Sequence, residues 1–211
     1  PLFGFFVGQD RKNVELMIPQ LSQGGTTLPD RDYYLKPEGR NADIQAAYKK
    51  YIVALFTLTG TNTTLAENNA STIFNLEKKL AAAQMSRVEM RDPYKTYNKF
   101  LVNDLTKTTP GFNWQQILAD LKIKKQDSIL VNNPAFFKEL SSLLNTVSIA
   151  DWKTYLQWNV LKAAAPYLST AFTDANFAYH QVLSGQKIQT PRWQRMSSLT
   201  DGSIGELLGQ L

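Results

Sequence analysis

Apolar residues change their spacing twice along this chain. Residues 2–8 and 14–21 are two apolar runs on either side of Gln9-Asp10-Arg11-Lys12-Asn13. Asp and Asn favour local side-chain to backbone bonds, so this pattern predicts a hairpin. Gly24-Gly25-Thr26-Thr27-Leu28-Pro29 reads as a loop leading into Asp30-Arg31-Asp32-Tyr33-Tyr34-Leu35. From Asn41 the period becomes helical. Ile44, Ala47, Tyr48, Tyr51, Leu55 and Leu58 share one face, and Gly60 suits the stop. A longer helix is expected from Thr64 to Val88, with Leu65, Ile73, Leu76, Leu80 and Ala83 inward. Short helical pieces are expected after Pro93 and Phe112, and Ser128-Ile129-Leu130-Val131 reads as a strand.

The last third is the most helical. Pro134 opens a helix as a first-turn proline. Ser148-Ile149-Ala150-Asp151 has the form of a capping box, opening a helix with Trp152, Leu156, Asn159 and Ala163 on one side. Pro166 ends or kinks it. Phe172, Ala175, Tyr179 and Val182 mark the inner face of the next helix, which Gly185 stops, and Thr190-Pro191 opens the final one. The fold class expected is mainly all-α, a multi-helix domain with a small β-hairpin near the N-terminus.

At 211 residues, 43% apolar, with 11 Phe and 4 Trp, the chain can bury a sizeable core. The net charge of +5 is modest, and its densest basic cluster is Lys122, Lys124 and Lys125. No aromatics interleave with these lysines, so they read as a solvated face and nucleic acid is excluded as a partner. Without cysteine there is neither a disulfide framework nor thiolate chemistry. No apolar run reaches the length of a transmembrane helix. The chain begins within an apolar segment without Met and ends in a helical pattern, so both ends read as cut.

Catalytic constellations are lacking. His180 is the single histidine; position 176 is Asn and 184 is Ser, so it has no metal-binding mate at helical spacing. It reads as a structural histidine. Asp30 and Asp32 flank Arg31, a neutralising arrangement. Arg91, beside Asp92-Pro93, has a functional reading as an anion clamp and a structural one as a corner in which Arg91 and Asp92 satisfy freed backbone groups. Trp152, Tyr155 and Trp158 read as helix-to-helix core, with a peptide-binding wall as the alternative. Asn62-Thr63-Thr64 and Asn69-Ala70-Ser71 match the glycosylation acceptor pattern, which arises easily by chance in an Asn- and Thr-rich chain. No catalytic, metal-binding or substrate-binding residue is assigned.

Six segments in a constant order resemble the neprilysin and endothelin-converting-enzyme family of zinc metallopeptidases. Phe6 to Asn13 is similar to its Val-Gly-x-Asp-x-Lys-Asn hairpin, and Leu28 to Leu35 to its Leu-Pro-x-Arg-Asp-Tyr-Tyr segment. Arg91-Asp92-Pro93 with Tyr97-Asn98 resembles its Arg-Asp-Pro…Tyr-Asn element. Val131 to Phe137 is similar to its strand-to-helix passage, and Trp152 to Leu168 to the helix that follows. Ser184 to Trp193, running into Gly205 to Leu211, resembles the junction where the helical domain hands over to the catalytic one. Met196 stands where many relatives have a cysteine, which removes their disulfide and points to a bacterial member.

The resemblance implies that residues 1–211 are part of an N-terminal helical lid over a thermolysin-like zinc domain. That family's His-Glu-x-x-His, glutamate ligand and Asn-Ala clamp would lie beyond Leu211. The function expected is therefore the non-catalytic lid of a zinc metalloendopeptidase acting on oligopeptides, exported from the cell, with zinc held by a catalytic domain not included here. The alternative is a free-standing helical binding module; a third class is an exported scaffold or glycan-binding protein.

Overall fold

A computed structural model describes residues 1–124 and 126–210, so Lys125 of the lysine cluster and Leu211 of the terminal leucines lie outside the described residues. Strands β1 (Phe3–Asp10) and β2 (Asn13–Gln23) form the expected hairpin, with Phe3 opposite Gln23 and a register shift at Gln9/Asp10. A two-stranded hairpin alone is marginal in water. Here β3 (Asn98–Leu101) and β4 (Ser128–Val131) widen it to a four-stranded sheet in the order β1-β2-β4-β3. Strand β4 runs parallel to β2, Gln20 opposite Leu130, and antiparallel to β3. Covered on both faces, β4 is a continuous apolar run in Ile129, Leu130 and Val131, all buried.

The helices are α1 (Asp32–Leu35), α2 (Arg40–Leu58), α3 (Thr63–Ala83), α4 (Val102–Thr108), α5 (Trp114–Asp120), α6 (Pro134–Thr146), α7 (Ile149–Ala164), α8 (Thr170–Ser184), α9 (Arg192–Thr200) and α10 (Glu206–Gly209). The mainly helical expectation holds; the β part is larger than a hairpin. The signals at the helix ends act as read. Gly60 and Gly185 take positive φ, Pro134 sits in the first turn of α6, and the Ser148 hydroxyl accepts from the Asp151 N–H at 3.1 Å. Pro166 closes α7 in a short 3-10 turn, and a π-helical turn at Asp201–Gly205 precedes α10.

Four expectations are corrected. Helix α3 stops at Ala83 because the next residues are captured by the first loop. The Gln84 amide donates to the Gly24 carbonyl at 2.8 Å, and the Met85 N–H to Gln23 Oε1 at 2.8 Å. No α-helix follows Pro93 directly: Asn98–Leu101 is a strand, since it finds a partner in β4. Leu65, expected inward, is half exposed. On α7 the buried side is Tyr155 and Trp158, whereas Leu156 is 55% exposed. Of the expected Trp152-Leu156-Asn159-Ala163 face, Trp152 packs partly buried against the core of the first unit, but Leu156 and Ala163 are exposed, because the helix turns the large rings of Tyr155 and Trp158 to the most deeply buried side.

The chain divides into two compact units, with the divisions falling inside α2, α3 and α7. The first comprises Pro1–Gln45 and Ser71–Gln157. Its core gathers Phe3 edge-on to Phe112, Trp114 and Phe137 at 5.8, 5.8 and 5.4 Å, and the Trp114 indole N–H donates to Thr109 Oγ1 at 2.8 Å. The second comprises Ala46–Ala70 and Trp158–Leu211. There Tyr51 stacks on Tyr179 at 4.9 Å and meets Trp158 edge-on at 5.3 Å, and the Tyr51 hydroxyl donates to Asn176 Oδ1 at 2.9 Å. Burial pushes the Tyr51 phenol well above its ordinary range.

Candidate functional site

Four of the sequence segments singled out above lie in the first unit, and polar contacts tie them together. Asp10, at the end of β1, is fully enclosed. Its carboxylate accepts from the Lys12 N–H at 2.9 Å and the Tyr97 hydroxyl at 2.8 Å, and pairs with Lys99 Nζ at 2.9 Å. The Lys12 N–H and the Lys99 ammonium outweigh burial and lower its pKa from 3.8 to about 2. Next to it, Arg11 donates to the Thr96 hydroxyl and carbonyl, and Lys12 Nζ lies 4.4 Å from the Tyr97 ring centre. The hairpin tip is thus clasped to the segment preceding β3.

The loop before α1 is held by a buried phenol. Tyr34 accepts from the Thr27 and Leu28 N–H groups at 3.0 and 2.8 Å and donates to Glu77 at 2.6 Å; Thr27 Oγ1 donates to the other Glu77 oxygen at 2.8 Å. Burial first, then the Glu77 charge, raises the Tyr34 pKa well above its ordinary value. Asn133 caps α6 by accepting from the Phe136 N–H at 3.1 Å, and its amide donates to Gln23 and to the Ala83 carbonyl. These groups are consumed by one another. Their chemistry is that of a brace, with no group free to attack or to move a proton.

Arg31 does not pair with its flanking carboxylates. Asp30 is 3.3 Å from Arg87, Asp32 is 2.7 Å from Lys36, and Arg31 donates to the Gln84 carbonyl. The Arg91 corner is half as expected. Asp92 accepts from the Tyr94 and Lys95 N–H groups at 2.9 and 3.3 Å, but Arg91 satisfies no backbone group among the described residues and lines a cleft of about 420 Å3 with Arg31 and Arg87. In the aromatic group, Trp158 is fully buried and Tyr155 donates to the Gly25 carbonyl at 2.8 Å, which makes both core. His180 lies 5.0 Å from the Tyr179 ring, where partial burial lowers its pKa.

The sequence profile of peptidase family M13 matches residues 1–211. The chain belongs to peptidase family M13. Among M13-type relatives, it is 29% identical to human endothelin-converting enzyme 1 over 100% of this chain and 28% of that enzyme. It is 26% identical to neprilysin-3 of Drosophila melanogaster, again over 100% of this chain and 28% of the relative. The fold superposes on the Mycobacterium tuberculosis zinc metalloprotease Zmp1 in complex with inhibitor with a TM-score of 0.90 at 28% identity, covering 100% of this chain and 32% of that one. PepO from Lactobacillus rhamnosis shares the fold, with a TM-score of 0.83 at 19% identity. The chain therefore spans about a third or less of these relatives' lengths.

These residues of the M13 protein do not fit a zinc ion. The sequence offers one histidine and no cysteine, and among the described residues no group of three or more His, Cys, Asp or Glu side chains converges. No helix among the described residues is long and apolar enough to cross a membrane. Sequence reading missed Glu77, although a signal existed. It lies four residues after Ile73 and three before Leu80, which puts a carboxylate on the apolar side of a helix.

Proposed function

We propose that residues 1–211 serve as a non-catalytic part of the helical lid of an M13 zinc metalloendopeptidase. The carrying observation is the match of this whole chain to about a third or less of the relatives reported. On this reading the zinc, its ligands and the activated water reside in a further part of the protein, and the lid admits oligopeptides while excluding folded proteins and bulk water. The enclosed polar braces support the role, because a wall that filters by size must hold its shape. The substrates are peptides, the main partner is the catalytic portion, and the setting is outside the cytoplasm.

The test compares residues 1–211 with a longer chain that carries His-Glu-x-x-His. The segment alone should show no stoichiometric zinc by elemental analysis and no chelator-sensitive peptide hydrolysis, while the longer chain shows both. Metal and hydrolysis in the segment alone would overturn the proposal. A natural reading frame without a catalytic portion would favour a free-standing binding module.

A further inference from the structure

The cleft of about 420 Å3 in the first unit, bounded by Gly24, Asp30, Arg31, Arg87, Met90 and Arg91, carries three guanidinium groups against one carboxylate. We propose that it binds an oxyanion, supplied either by the carboxylates of an acidic peptide or as free phosphate. The inference does not depend on the lid reading, since nothing in it requires zinc or hydrolysis.

The charges in the cleft are unequally used. Arg87 is the compensated one, with Nε 3.3 Å from Asp30 Oδ2 and Nη2 3.2 Å from the Pro29 carbonyl. Arg31 is anchored by its bond to the Gln84 carbonyl, and a guanidinium has five N–H groups, so donors remain. The Arg91 N–H donates to the Val88 carbonyl at 3.2 Å, while its guanidinium makes no hydrogen bond or ion pair among the described residues. The other nearby acid, Glu89, is not on the cleft wall; its carboxylate is engaged by the Ser86 N–H and hydroxyl at 2.9 and 2.8 Å. The Glu89 charge still reaches Arg31, so Arg91 is the guanidinium left without an acid, on a wall where three guanidiniums face one carboxylate.

The backbone at Arg91 is fixed before any ligand arrives. It ends the short 3-10 turn Glu89–Arg91, and the following corner is locked by Asp92 and Pro93. Met85 and Met90 give the cleft apolar walls, which strengthen a charge-assisted bond by excluding water on that side. The Met85 N–H is already used on Gln23 Oε1, and the charged donors are the planar guanidinium forks, whose spacing matches two oxygens of a carboxylate or phosphate. The larger cavity of about 690 Å3 beside α4 and α5 lacks this imbalance. There Gln115 donates to Asn103 and Gln126 to the Met17 carbonyl.

The experiment is calorimetric titration of the intact protein at low ionic strength with inorganic phosphate and, separately, with an acetylated tri-glutamate peptide. At least one should bind saturably. Arg91→Gln should weaken it by roughly tenfold or more, the worth of a charge-assisted hydrogen bond, and Arg91→Lys should recover part of the loss. Binding of the peptide but not phosphate identifies carboxylates as the source; binding of phosphate alone identifies a free anion. Each variant is first checked for an unchanged thermal midpoint, which the exposure of Arg91 favours. No saturable binding of either probe, or equal affinity in wild type and a folded Arg91→Gln, overturns the proposal.

Discussion

Asp10 shows what a single residue contributes to this fold and how that contribution is conditional on pH. Its carboxyl is lowered from 3.8 to about 2, so the folded state favours the charged form. The stabilisation is complete above the unfolded value near 4 and is lost as pH falls toward 2. The denaturation midpoint of Asp10→Asn should therefore lie below wild type at pH 6, and the gap should narrow between pH 4 and pH 2. A gap constant across that range would mean that the charge of Asp10 is not what holds the hairpin tip. At this scale the sequence was legible in part. An Asp before a turn announced a local cap, and the Lys12 N–H bond at 2.9 Å is that cap. Its partners Tyr97 and Lys99 stand some 90 residues away, and no local pattern links them.

Elements were easiest to read where a terminus signal and a period agreed. Gly60, Pro134, Ser148 and Gly185 marked ends that backbone chemistry alone determines, and the helices between them follow. Faces were harder. On α7 the Trp152-Leu156-Asn159-Ala163 row and the Tyr155-Trp158 pair lie on adjacent stripes, and the partners Tyr48 and Tyr51 show that Trp158 is inside. This makes a paired test. Trp158→Ala removes a fully buried indole and should cost about 3–5 kcal/mol in denaturant unfolding. Leu156→Ala, at a site 55% exposed, should stay within about 0.5 kcal/mol of wild type. The reverse ranking would restore the stripe first read from the sequence. Strand β3 was missed for a related reason: four residues carry too little periodicity to be told from a turn until β4 lies beside them.

For the whole molecule, family membership was legible because six short segments kept their order, while the uses of those segments were not. The Arg-Asp-Pro corner supports a turn through Asp92 and leaves Arg91 on a cleft, a division of labour that only side-chain geometry reveals. Surface exposure adds a prediction on the proposed lid reading. Ile204, Leu207 and Leu208 are 45%, 64% and 54% exposed, and Trp193 is 73% exposed. Apolar surface of this kind marks interaction sites or association. Residues 1–211 alone should bind a hydrophobic dye more strongly than a longer M13 chain does, and should scatter light as more than a monomer at high concentration. A clean monomer without dye binding would show that these side chains need no cover.

The parallel pairing of β2 with β4 also sets a schedule. Gln20 and Leu130 are neighbours across the sheet yet 110 residues apart in the chain. During synthesis at roughly 5–20 residues per second, the hairpin emerges and then waits on the order of 5–20 s for its third strand. Closing so long a loop is slow, because the entropy is lost before any contact rewards it. Throughout that interval the inner edge of β2 offers unpaired N–H and C=O groups to any other extended chain. The edge of β2 is thus most open to wrong pairing while the chain is still being made, before β4 covers it.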